Sequence, residues 1–131
     1  MTLSATGRYA CGSFGRTLIT AVSSRALLVL TTCASAAEAD RLAAVLVDER
    51  LAACVNTVSN VTSTYRWQNQ VQREQESLLV IKTTEARFPA VEQAIRSASS
   101  YELPEVLAIP VHAGSEAYLA WIGSSVAERK E

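Results

Sequence analysis

Glu102 and Glu105 bracket Leu103-Pro104 and form a candidate acid/base pair of carboxylates. Little else in the 131 residues looks catalytic: there is a single histidine, His112, and no Ser-His-Asp set, GxSxG motif or phosphate-binding glycine loop. The chain therefore reads as non-enzymatic, and a carboxylate enzyme ranks last among its functions. Three cysteines, Cys11, Cys33 and Cys54, form no CxxC pair, and their odd number supports neither a disulfide framework nor a zinc knuckle. A reducing compartment is the simpler reading. Cys54 lies among small apolar residues and is expected to be a buried packing cysteine. His112, beside a glycine turn, is expected to be a solvated loop residue.

Composition narrows the classes further. Hydrophobic residues make up 49% of the chain and the formal net charge is -1, which fits one soluble domain. With no basic run, a phosphate-neutralising patch for nucleic acid is not expected. No apolar run approaches the roughly 20 residues that span a bilayer. Residues 1–25 carry four Ser, four Thr, three Gly, three Arg and no acidic residue. They read as a disordered extension or an Arg- and Ser-rich targeting segment ahead of a domain at 26–131. The expected location is cytoplasmic; the alternatives are mitochondrial or secretory, the latter with Ala26–Cys33 as the hydrophobic region of a signal and cleavage after Ala34-Ser35-Ala36.

The elements that must position these groups follow from periodicity. Ala26–Thr32 is an apolar run suited to a central strand covered on both faces. Ser35 with Glu38 three residues on is a capping box, and Ala39, Leu42, Ala43 and Leu46 give the helix to about Arg50 one apolar face. Pro89 fits the first turn of a second helix with Phe88, Val91, Ile95 and Ala98 facing inward. Glu105–Val111 reads as a fourth strand, with Pro110 at an edge or near its end. Ser115 caps a last helix that presents Tyr118, Leu119, Ile122 and Val126.

Between the first two helices lies a long hairpin. Its first arm begins around Ala52, slips register at Ser59-Asn60, where a bulge is expected, and continues with Val61, Ser63, Tyr65 and Trp67 on one face. A reversal is expected at Gln68-Asn69-Gln70, because Asn tolerates a left-handed conformation. The return arm ends in Leu78-Leu79-Val80-Ile81, apolar on both faces, whereas the tip is polar apart from Val71. An arm buried at its base and polar at its tip is expected to project and to meet another copy. The order β-α-β-β-α-β-α, with right-handed crossovers, gives an α+β, ferredoxin-like antiparallel sheet with a C-terminal helix.

From about Leu27 to Val126 the chain resembles CutA, the divalent-cation tolerance proteins. The likeness rests on LVLTT, ERLAACVN, TSTYRW, LLVIKTT, YELPEVLAIPV and YLAWI in that order. It implies a ferredoxin-like subunit in a compact homotrimer similar to the PII signalling proteins, tolerance to copper and other divalent cations, and no established catalytic reaction. The family often has His-Pro-Tyr where this chain has Ser99-Ser100-Tyr101, so the usual imidazole is missing. Some bacterial members have a cysteine where Thr31 stands, although Cys33 lies two residues on and shares its face if the strand continues.

Carried over to this chain, the resemblance implies Glu105, with Cys33 as a second candidate, as ligands of a weakly bound divalent metal such as copper. The plainer reading makes Glu105 a salt-bridge or capping partner. In a trimer, Tyr65, Trp67, Lys82, Tyr101 and Trp121 could line a cleft between subunits, where aromatic walls and one cation would suit a small anionic ligand. Alternatively the aromatics fill the interface and Lys82 pairs with a carboxylate. The competing function is a structural or partner-docking trimer, in PII-like signalling or protein processing, with no functional metal site.

Overall fold

The computed structural model describes residues 24–128, so the extension assigned to 1–25 lies almost wholly outside the described residues. The elements are β1 (Ala26–Cys33), α1 (Ala36–Asp48), β2 (Cys54–Trp67), β3 (Gln70–Thr84), α2 (Phe88–Ala98), β4 (Leu107–Pro110) and α3 (Glu116–Ser125), with a 3-10 turn at Glu85–Arg87. One sheet forms in the order β2-β3-β1-β4, every neighbouring pair antiparallel. This is the expected ferredoxin-like arrangement.

Alternation along the central strands decides where the core lies. In β1, Leu27, Val29, Thr31 and Cys33 are buried while the intervening residues are half-buried; Ser77, Leu79, Ile81 and Thr83 of β3 repeat the pattern. Val29, Leu79 and Ile81 pack against Ala39, Leu42 and Leu46 of α1 and Val91 and Ile95 of α2. Each such Leu, Ile or Val stabilises the fold by roughly 1.5–3 kcal/mol when fully buried. The register puts Leu28, Leu30, Leu78 and Val80 on the opposite face, together with Val58, Leu107 and Ile109. Those last three remain 46%, 57% and 45% exposed. Burial from both sides, expected for β1 and the base of β3, is therefore only half achieved among the described residues.

The hairpin closes at Trp67↔Gln70, leaving Gln68 (φ 53°) and Asn69 (φ 65°) as a two-residue loop. Two successive positive φ values define the type I′ geometry, whose twist matches the flanking strands. The register slips between Val58 and Val61, where Ser59 and Asn60 oppose Ser77 and Asn60 sits at φ 59°. That is the expected bulge, and it increases the twist of the projecting arm.

Several expectations need correction. Only half of the capping box forms: Ser35 Oγ accepts the Glu38 N–H at 3.1 Å, but the Glu38 carboxylate turns to Ser100 instead. Strand β4 is shorter than 105–111, because pairing with β1 stops at Leu30↔Leu107 and the preceding residues leave the sheet. Pro110 ends this edge strand, as expected. Strand β2 starts at Cys54, which is half-buried rather than buried; Leu51 and Ala52 supply that corner of the core. Ala98, the last residue of α2, is exposed. In α3, Ser115 Oγ caps the Tyr118 N–H at 3.1 Å, while Ile122 and Val126 are buried.

Candidate functional site

Beyond the bulge, Ser63, Tyr65 and Trp67 pair with Glu74, Gln72 and Gln70, and paired residues in an antiparallel ladder share a face. Glu76 lies on that face too, two residues from Glu74. The segment before β4 runs past it. Between them opens a cleft of about 540 Å³, lined by Thr32, Tyr65, Trp67, Glu74 and Glu76 on the sheet side and by Ser100, Tyr101, Glu102, Leu103 and Glu105 on the other.

Two carboxylates hold the second wall in place. Glu38, only 7% exposed, accepts from the Ser100 N–H at 3.3 Å and the Ser100 hydroxyl at 2.9 Å. One residue on, the Tyr101 hydroxyl donates to Glu76 at 2.5 Å, and the Tyr101 N–H donates to Ser99 Oγ at 3.0 Å. Hydrogen bonds to ionised carboxylates are about twice as strong as neutral ones.

The cleft is acidic, with no Lys or Arg in its lining among the described residues. Burial, and then the charge of Glu76, holds the Glu105 carboxyl above its ordinary range. Burial and the bond to Glu76 push the Tyr101 hydroxyl well above the usual tyrosine value. Tyr65 is raised likewise, by desolvation and then by Glu74. Neutral tyrosines beside carboxylates leave an acidic cleft with aromatic residues in its walls.

The expected ligand residues separate into three places. Tyr65, Trp67, Tyr101 and Glu105 line the cleft. Lys82 and Trp121 gather around Tyr118: Lys82 Nζ donates to the Tyr118 hydroxyl at 3.4 Å and stands 5.6 Å from its ring centre, and the Trp121 ring is 5.3 Å from that of Tyr118. Ten positions along β3 separate Lys82 from Gln72, the partner of Tyr65, which is roughly 33 Å of strand. Cys33 is 2% exposed and faces the helices with Thr31, as a continued strand requires. Burial, then Glu38 and Glu76, pushes its thiol up to about 11, so it is protonated at neutral pH.

Among the described residues no three His, Cys, Asp or Glu side chains are close enough to hold a metal ion together. Sequence reasoning missed Glu74 and Glu76 as cleft residues and Glu38 as a clamp. The first two were legible: Glu74 and Glu76 keep the period-2 spacing that puts them on one face of the return arm. The third was not, because Glu38 meets Ser100 across 62 positions.

Among the described residues, fold and site define a small α+β domain with a partly exposed apolar sheet face and an acidic, aromatic cleft beside a long hairpin. The chain belongs to the CutA1 divalent ion tolerance protein family, whose pattern matches residues 27–125. It is 44% identical over 95 residues to the divalent-cation tolerance protein CutA of Thermus thermophilus, covering 72% of this chain and 92% of that one. Protein CutA of Mus musculus is 40% identical over 91 residues, which span 70% of this chain but only 51% of the mouse protein. Among solved structures, the Cut A1 protein of T. thermophilus superposes with a TM-score of 0.76 at 41% identity, covering 78% of this chain and 99% of that one. CutA1 of Oryza sativa gives 0.78 at 36% identity, covering 82% and 98%.

Proposed function

We propose that this chain is a non-enzymatic, homotrimeric protein that binds divalent metal ions weakly and acts in the tolerance of, and response to, such ions, copper among them. The observation that carries the reading is the cleft: Glu105 opens into it beside Glu74, Glu76 and Glu102, with no basic side chain in the lining among the described residues. Carboxylates suit hard divalent ions, whereas copper prefers imidazole or thiolate. Ser99 stands where the family often has histidine, and Cys33 is a buried, protonated thiol. Binding is therefore weak and poorly selective, with Glu105 as the principal ligand; Cys33 would join it only after local rearrangement.

The PII-like trimer is supported by the sheet face that α1 and α2 leave open, where Val58, Leu107 and Ile109 stay 46%, 57% and 45% exposed and would gain burial from another copy. The small-anion reading of Tyr65, Trp67, Lys82, Tyr101 and Trp121 also needs two copies, because one copy keeps the two halves of that set apart. Free thiols at Cys33 and Cys54 fit a reducing compartment such as the cytoplasm. One relative's structure is described as periplasmic and a rice relative as chloroplastic.

Calorimetric titration with Cu(II), Cu(I) and Zn(II), repeated with Glu105→Ala, tests the metal reading; no heat with any metal sinks it. The absence, among the described residues, of a three-ligand cluster favours the second reading, a structural or partner-docking trimer. Light scattering at micromolar concentration tests assembly, and a monomeric mass contradicts both readings. Trp67→Ala should weaken assembly more than it unfolds the subunit.

A further inference from the structure

We infer that the acidic cleft of one copy is completed by the guanidinium groups of Arg66 and Arg73 from the hairpin of the next copy. The inference rests on the assembly proposed above and names the contact that sets its polarity. Alternation gives the projecting arm two unlike faces. Tyr65, Trp67 and Glu74 line the cleft on one face, while Arg66 and Arg73, one residue out of phase, take the other; Arg66 pairs with Val71 and Arg73 with Thr64. Both arginines are exposed, and among the described residues neither forms a salt bridge. Val71 between them is 65% exposed, a large apolar side chain at a tip that otherwise faces water. One arm thus carries both halves of a complementary contact.

The lining also suits a guanidinium, beside the weakly held metal ion proposed above. The carboxylates are distributed around the cleft, and no three come close enough to hold one ion. A planar fork with five donors can bridge separated carboxylates, and it stacks on the aromatic faces that Tyr65 and Trp67 provide. A contact that joins one face of the arm to the opposite face of its neighbour is heterologous, and such contacts close into rings when the rotation allows. A cyclic trimer is one such ring, with three copies of the same junction.

The test uses the full chain in three forms: Arg66→Glu with Arg73→Glu, Glu74→Arg with Glu102→Arg, and all four changes together. Glu76 and Glu105 are left intact, so that the Tyr101 clamp and the metal candidate survive. Dissociation is followed by light scattering against dilution and salt, and cleft accessibility by carbodiimide labelling of Glu74 and Glu102 in the arginine variant and the parent chain. Each two-site reversal should weaken assembly by about tenfold or more, with the four-site swap restoring it. If the apolar face still holds the arginine variant together, labelling of Glu74 and Glu102 should rise several-fold. A parent chain that assembles, with arginine variants that neither dissociate more readily nor expose the carboxylates, overturns the contact and leaves the trimer standing. Dissociation that the swap does not rescue overturns it as well, as does protection of the assembled parent's carboxylates by added agmatine, since an open cleft is then free for a small guanidine. A parent chain that is monomeric removes the trimer and the contact together.

Discussion

The Tyr101 hydroxyl donates to the Glu76 carboxylate at 2.5 Å, joining the segment before β4 to the hairpin across 25 positions of sequence. This bond and the Glu38–Ser100 pair fix the wall that carries Glu102 and Glu105. Tyr101→Phe removes the donor and is expected to lower stability by roughly 1–2 kcal/mol, between the typical value for a neutral bond and that for one to a charged group, because the site is half-buried. Urea unfolding at pH 7 and fixed protein concentration measures the loss. The pH dependence has a definite sign. In the folded chain Tyr101 keeps its proton at pH values where the unfolded chain, with a tyrosine near 10, loses it. Its contribution is therefore complete below about pH 10 and is lost as pH rises further. Tyr101→Phe should flatten the alkaline limb of the stability curve; an unchanged limb would show that Tyr101 is not the group responsible.

Much of the fold was legible because local chemistry and tertiary packing agree. The Ser59-Asn60 slip, the Asn69 reversal, Pro89 in the first turn of α2 and the Ser115 cap each follow from a local preference that the fold keeps. Glu38 shows where reading fails. Its local option was the second half of a capping box, but a buried carboxylate finds two donors at Ser100, and that loop comes near only through the fold. The cleft was half legible for the same reason: strand alternation groups Tyr65, Trp67, Glu74 and Glu76, while the approach of Glu105 depends on where β4 stops pairing. Lys82 and Trp121 shared a chemistry with the cleft residues but not a location.

Arg50 occupies the left-handed position that ends α1. Leu51 N–H reaches the Leu46 carbonyl at 2.8 Å and Arg50 N–H reaches Val47 at 3.1 Å, the bond pattern of a Schellman motif, and Arg50 sits at φ 60°. Glycine is usual there because a Cβ costs about 1 kcal/mol in this region. Arg50→Gly loses a long 3.4 Å bond to the Ser125 carbonyl but keeps the Arg50 carbonyl that Arg87 uses. A net gain of about 0.5 kcal/mol is expected in urea unfolding. A loss of stability would mean that the Ser125 contact outweighs the backbone strain.

Cys33 is expected to be inert where Cys54 reacts. Its thiol is buried and pushed up to about 11, so thiolate is scarce at pH 8, whereas Cys54 is half-buried at the start of β2. Iodoacetamide at pH 8 should alkylate Cys54 first and Cys33 only in denaturant, as peptide mass mapping would record. Because the folded value lies above the unfolded one, the stabilising effect of the neutral thiol is complete below about pH 8.5 and fades as pH rises towards 11. Early alkylation of Cys33 in the folded chain would contradict its burial.

Thr31 and Thr83 are neighbouring problems with opposite solutions. Both are buried on the helix-facing side of adjacent strands, at 1% and 0% exposure. The Thr83 hydroxyl donates to the Leu51 carbonyl at 2.7 Å and ties the end of β3 to the corner after α1. Among the described residues the Thr31 hydroxyl has no hydrogen-bond partner. Burying a hydroxyl without a partner costs about 1–3 kcal/mol, whereas a satisfied one contributes modestly and leaves an orphaned acceptor when deleted. Valine keeps the shape and removes the hydroxyl, so the same substitution should have opposite signs at the two sites. Thr31→Val should stabilise by about 1 kcal/mol, and Thr83→Val should destabilise by roughly 1–3 kcal/mol. The comparison needs equal protein concentration, because the stability of an assembling chain depends on it. If Thr31→Val lowers the urea midpoint as Thr83→Val does, the Thr31 hydroxyl has a partner in solution.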